Sequence, residues 1–342
     1  MRHEKEYIMK LSVMFTNHLV FQADKEIRVF GESTETVTVT FAGNTVTAEP
    51  ENGAFLCTFP AMKYGGPYTL TATDGADTVT LTDIYVGEVL LCAGQSNMQF
   101  TIADGQLPDE QLCADDGLRM FLTERPEANN CPAPAMQWVC AAPDNLRGWS
   151  ELGWMLGTEA RKAGIPYVGI VVCAQGASNI QTWIDETKLK GSALDFPDEM
   201  LHIDAFQAQY HWNIPGLLYH TMFEKLCPFV FGNVIWYQGE SNTHKEGAYY
   251  AELLSMMVSQ WRQRDRDPGL PFTIVQIADY RYPWNVEGWK LVQKAQMDAE
   301  VLIPGLHTVV CADFSEPELI HPLNKAPLAV RLFESMRRYG TI

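Results

Sequence analysis

The chain has 342 residues, 46% of them hydrophobic and 20% charged, which excludes a disordered protein and allows two domains or one large one. Its net charge of −17 excludes nucleic acid as a partner class, since no basic patch offsets it, and disfavours anionic membrane surfaces. Eight cysteines are scattered without a Cys-x-x-Cys pair, which argues against a metal site.

Cys92, Cys173 and Cys311 sit in apolar runs, so reduced, buried thiols in a reducing compartment are the expected state, with a Cys131–Cys140 bridge as the competing arrangement. Residues 1–9 read as a disordered lead in which Met9 is an alternative start. Neither a signal peptide nor a membrane span is read, so a cytoplasmic location is expected.

Residues 10–86 predict an all-β unit. Val37, Val39 and Phe41 alternate with threonines, as do Phe55, Cys57 and Phe59, and Asn52-Gly53 and Asp74-Gly75 mark turns. Short strands at this spacing predict a small β-sandwich domain. From residue 87 to 342 the pattern becomes α/β. Apolar strands are expected at 87–94, 168–173, 230–237, 272–278 and 307–312, alternating with helices near 150–163, 246–264, 286–301 and 324–338. Ser150 is the expected N-cap of the first helix. This alternation predicts a parallel sheet flanked by helices. The irregular, proline-rich spans 100–148 and 184–215 are expected to form the substrate cleft.

Four strand ends carry the chemistry. The strand ending at Gly94 runs into Gln95-Ser96-Asn97-Met98, which places a serine hydroxyl at the carboxyl rim of the sheet near free backbone N–H groups. The second ends in Gln175-Gly176-Ala177-Ser178, where a glycine can offer its N–H to an oxyanion. The third ends in Gln238-Gly239-Glu240-Ser241-Asn242. There Gln238 is a candidate oxyanion donor, while Glu240 and Asn242 are candidates for holding loops. After the last strand comes Glu318-Leu319-Ile320-His321-Pro322, with His321 on the same rim as Ser96. Each segment alone is equally compatible with ordinary turn or loop hydrogen bonding. Their shared placement, in this order, suggests a serine esterase.

The ordered set Gly94-Gln95-Ser96-Asn97-Met98, Gln175-Gly176-Ala177-Ser178, Trp236-Tyr237-Gln238-Gly239-Glu240-Ser241-Asn242 and Ile320-His321-Pro322-Leu323-Asn324-Lys325 resembles the sialate O-acetylesterases, carbohydrate esterases of the SGNH-hydrolase superfamily. The resemblance implies an SGNH-hydrolase-like (flavodoxin-like) domain after the β-sandwich, with Ser96 as nucleophile and His321 as general base. It also implies an oxyanion hole from the N–H groups of Ser96 and Gly176 with the Gln238 side chain, and a reaction without cofactor or metal. Candidate substrate contacts are Gln95, Asn242 and Trp183, and Trp183, Trp212, Tyr237 and Trp284 are candidates for stacking on sugar rings.

Two departures stand out. The family's aspartate two residues before the histidine is Leu319 here, so Glu318, three residues before His321, becomes the expected orienting acid; a Ser–His dyad oriented by a backbone carbonyl is the competing arrangement. Gln293 replaces an arginine common among relatives. The expected substrate is an O-acetylated carbohydrate, sialic acids first and acetylxylan or another plant glycan second. A non-catalytic sugar-binding scaffold is the reading of another class. An anionic sugar calls for a cation nearby, and Arg119, Arg147 and Arg281 lie in candidate cleft loops.

Overall fold

The computed structural model describes residues 9–126, 136–196 and 210–342. Most of the expected lead and Cys131 therefore lie outside the described residues, and Met9 at the boundary is buried.

The N-terminal region is all β: β1 (Lys10–Leu11), β2 (Val20–Gln22), β3 (Ile27–Glu32), β4 (Val37–Phe41), β5 (Asn44–Ala48), β6 (Ala54–Phe59) and β7 (Gly65–Thr73). β8 (Thr78–Gly94) follows as one 17-residue strand, then α1 (Ser96–Gln99), β9 (Asp115–Leu122) and β10 (Trp138–Ala141). The remainder alternates: α2 (Glu151–Lys162), β11 (Val168–Ala174), α3 (Glu186–Leu189), β12 (Asn233–Tyr237), α4 (Tyr250–Arg264), β13 (Phe272–Val275), α5 (Val286–Leu302), β14 (Leu306–Val309) and α6 (Ala326–Arg338). The expected strands and helices of the α/β region are all present. Ser150 caps α2 as expected, its hydroxyl accepting from Gly153 N at 3.1 Å.

The main sheet runs β10-β9-β11-β8-β12-β13-β14, parallel except for the antiparallel edge strand β10. From β8 the chain skips one place to lay down β9 and the edge strand β10, fills the gap with β11, then crosses to the other side of β8 at β12. The strand order reverses at β8, which is where open α/β sheets hold ligands.

One expectation needs correcting. The span 100–148 contains sheet strands, because Asp115–Leu122 is the parallel strand β9. The charge at its centre, Arg119, is 2% exposed and donates to Asp83 Oδ2 at 2.9 Å and Asp83 O at 2.7 Å, so it joins the sheet to the N-terminal region and is no cleft cation. The boundary expected at 86/87 falls inside β8. The first half of β8 pairs with β2 and β7, and the second half with β11 and β12.

Both faces of the sheet are buried, and side chains alternate between two cores. Val89, Leu91 and Ala93 of β8, with Val234 and Trp236 of β12, join α4, α5 and the N-terminal strands. Leu90, Cys92, Ile235 and Tyr237 face α2 and α6. Cys57, Cys92, Cys113, Cys140, Cys173, Cys227 and Cys311 are all free thiols, so no described cysteine forms a bridge. Burial pushes the Cys92, Cys173 and Cys311 thiols up to about 12.

Candidate active site

β8 ends at Gly94, whose φ of +133° and 2.1 Å clearance between a built Cβ and Tyr237 O exclude any side chain. This close approach lets Gln95 N donate to Tyr237 O at 2.9 Å, and the chain turns directly into α1. Ser96 is the first residue of that helix. Its N–H belongs to the opening turn, where helical N–H groups have no intrahelical acceptor.

From the opposite end of the chain, the loop after β14 brings His321 against the serine. His321 Nε2 lies 2.8 Å from Ser96 Oγ. The Phe100 ring packs on the imidazole, centroids 4.2 Å apart. Asn97 joins the two loops, its Nδ2 donating to Ile320 O at 3.1 Å and to Glu240 Oε1 at 2.8 Å. Glu240 thus holds loops, as expected for it. Burial lifts its carboxyl to about 7.

Burial also pulls the His321 imidazole down to about 4, helped by the charge of Lys325 and opposed by that of Asp104. The ring is therefore neutral at pH 7, the state a base needs to accept the serine proton. Lys325 forms a buried ion pair with Glu151 on α2, Nζ to Oε2 at 3.0 Å, and donates to Pro322 O at 3.0 Å. The residue after the histidine is thereby anchored to a helix.

Other expected site residues are placed differently. Glu318 is half exposed and pairs with Arg281 at 2.5 Å, so its carboxylate is directed to a surface cation and makes no hydrogen bond to His321. Among the described residues neither a carboxylate nor a backbone carbonyl takes the other imidazole nitrogen, so the contact is that of Ser96 with His321 alone. Gln238 is fully buried, and its two amide protons go to Ser178 O at 3.0 Å and Asn242 Oδ1 at 2.8 Å, leaving none for an oxyanion. Asn242 is equally buried and bonds Gln181 and the Ile180 N–H, so it meets no substrate. Trp183 is 0% exposed, packed on Trp236 and Trp261 with its indole N–H on Ser178 Oγ. Gln95 turns its carbonyl inward to the Gly239 and Ser241 N–H groups.

Gly176 does flank the serine, and its N–H donates to the Gln99 side-chain carbonyl at 2.6 Å. Gln99 Oε1 thus occupies the Gly176 donor. Sequence reasoning gave no role to Gln99, Phe100, Asp104 or Glu151. Asn97 and Lys325 were at least visible, since both lie inside the motifs that carried the resemblance. Of the four candidate stacking aromatics, Trp212 and Tyr237 are also buried, and Trp284 alone is exposed. The arrangement of hydroxyl, neutral imidazole and backbone donors suits acyl transfer through a serine nucleophile.

The family described as "carbohydrate esterase, sialic acid-specific acetylesterase" matches residues 86–330. The chain is 23% identical to the sialate O-acetylesterase of Homo sapiens over 343 aligned positions, which cover 89% of this chain and 65% of that protein. It thus spans just under two thirds of that relative's length. The Mus musculus sialate O-acetylesterase is 24% identical, with 92% of this chain and 70% of that protein covered. Among solved structures, a carbohydrate acetylesterase from Xanthomonas citri superposes with a TM-score of 0.83 at 29% identity, covering 97% of this chain and 76% of the other.

Proposed function

Because this chain belongs to the family of sialic acid-specific acetylesterases among the carbohydrate esterases, we propose that it removes O-acetyl groups from carbohydrates, with O-acetylated sialic acids the favoured substrates. The observation that carries this reading is the 2.8 Å contact between Ser96 Oγ and a neutral His321, at the point where the strand order reverses.

In this reading Ser96 attacks the acetyl carbonyl as His321 takes its proton. The N–H groups of Ser96 and Gly176 receive the oxyanion once the Gln99 carbonyl gives way. His321 returns the proton to the leaving sugar hydroxyl, then activates water to release acetate. No step calls for a cofactor. The scaffold is of the SGNH-hydrolase type, and the N-terminal strands form a sandwich-like buttress for it. The free thiols suit a reducing compartment.

Acetylxylan or another plant glycan is the second reading, since the 29% identical Xanthomonas citri structure is that of a carbohydrate acetylesterase without further specification. Acetate release from 9-O-acetyl-N-acetylneuraminic acid and from acetylated xylo-oligosaccharides separates the two. Release from the first by the wild type and not by Ser96→Ala supports the sialate reading. Release from the second alone moves the preference to plant glycans, and release from neither leaves a sugar-binding scaffold.

A further inference from the structure

The loop between β13 and α5 carries a group of aromatic side chains that the proposed chemistry does not use. Tyr282 is 62% exposed and Trp284 46%, on a protein whose other tryptophans among the described residues are buried. Both are backed by the buried Trp289. The Trp284 and Trp289 rings meet edge-on at 5.7 Å, while Tyr282 contacts Tyr280 at 6.1 Å, which in turn lies 5.6 Å from Trp289. Trp289 is itself fixed by its indole N–H on Ala278 O at 3.0 Å. Gln293 reinforces the base of the loop, its amide donating to Ile277 O and Asp279 Oδ1.

This loop is tied to the histidine loop. Arg281 N donates to Pro317 O at 2.6 Å, and the Arg281 guanidinium pairs with Glu318. His321 lies four positions after Pro317, a span of at most about 14 Å even when fully extended. The exposed rings therefore stand on a loop tied to the one that carries His321, at the same carboxyl rim as Ser96.

Rigid aromatic faces lose little conformational freedom when they bind a ligand, and exposed apolar clusters mark sites of contact. A pyranose ring offers an apolar C–H face that matches them, and the carbohydrate esterase family of the chain favours a sugar over a protein partner. Resting on the carbohydrate esterase reading, we propose that Tyr282 and Trp284 form a platform that stacks on a sugar unit neighbouring the acetylated one, so that the preferred substrate is an oligosaccharide.

The test compares 9-O-acetyl-sialyllactose with 9-O-acetyl-N-acetylneuraminic acid, and acetylated xylo-oligosaccharides with acetylated xylose. In Trp284→Ala and Tyr282→Ala the preference for the longer substrate, as a ratio of kcat/KM values, should fall about tenfold, chiefly through KM. Trp284→Phe should restore most of it. An equal loss on short and long substrates, or no loss on either, overturns the platform.

Calorimetric titration of the Ser96→Ala protein with sialyllactose and xylohexaose gives a readout independent of turnover. Binding that weakens about tenfold on adding Trp284→Ala supports the platform. Absence of binding, or binding indifferent to Trp284, overturns it. If the wild type also fails to hydrolyse 4-nitrophenyl acetate, the esterase reading falls, and this titration still decides the platform.

Discussion

Ser96 with His321, and Gln238 with Asn242 and Trp183, occupy the same carboxyl rim of one sheet and use similar polar residues. They differ in what their polar atoms already hold. Every amide proton of Gln238 is engaged inside the protein, Asn242 is bonded on both sides, and Trp183 has no exposed surface. The Ser96 hydroxyl meets a neutral imidazole, at the first residue of a helix whose Met98 and Gln99 N–H groups alone turn back to Gln95 O. Placement at a strand end selects candidates; uncommitted donors and acceptors separate a reaction centre from the frame around it. The Gln238 cluster is that frame, joining β12 to the segment after β11.

The contrast breaks most severely at the base. His321→Ala should lower kcat on an acetyl ester by a factor on the order of 10⁴ or more, and adding Ser96→Ala should cost little further, because the two residues act as one unit. Additive losses would show that they act separately.

The next largest effect is on stability. Lys325→Met leaves Glu151 as an unpaired buried carboxylate and should cost about 3–5 kcal/mol in denaturant unfolding, much of it recovered by adding Glu151→Gln. A loss of under about 1 kcal/mol would mean that the pair does not hold the histidine loop. Gln238→Leu should cost about 1–3 kcal/mol by orphaning buried partners, with kcat nearly intact. If kcat instead falls a hundredfold at unchanged stability, Gln238 belongs to the oxyanion hole after all.

The pH profile sharpens the same boundary. His321 must be unprotonated to act, so the acid limb of kcat/KM should fall near pH 4 and not near 6.5. Between those values the unfolded chain binds a proton that the folded chain does not. Stability should therefore drop as pH falls through this window, and less so in His321→Phe. A limb near 6.5 would mean that the imidazole is not desolvated. The smallest effect is expected of Glu318→Gln, within about twofold in kcat, since the group is a surface ion-pair member. A drop approaching 10⁴ would establish Glu318 as the orienting acid.

Much of this was legible in the sequence because it depends on local pattern. The stretches 168–173 and 234–237 are continuous apolar runs within observed strands, and Ser150 before an amphipathic stretch marks a helix start. Ser96 and His321 could be named because each follows a strand in an α/β alternation. β9 was not legible, because Arg119 in its centre reads as a surface residue. Only the fold supplies Asp83, from the N-terminal region, to satisfy it. The role of Glu318 was inferred from spacing, yet spacing does not fix the direction of a side chain, and Arg281 from another loop captures this one. Gln238 and Trp183 failed for the same reason, since their partners come from distant segments.

β8 couples the fate of the two halves of the molecule. Thr78–Gly94 is a single unbroken strand that starts among the N-terminal hairpins and ends one residue short of Ser96. Residues of both regions fill one of the two cores it borders. Melting the N-terminal strands would therefore strip neighbours from the strand that positions the serine, so the two regions should unfold cooperatively, as one thermodynamic unit. A shortened chain beginning near residue 87 would keep the reactive groups and the β11 and β12 pairings of their strand, while losing the N-terminal side chains that complete the shared core.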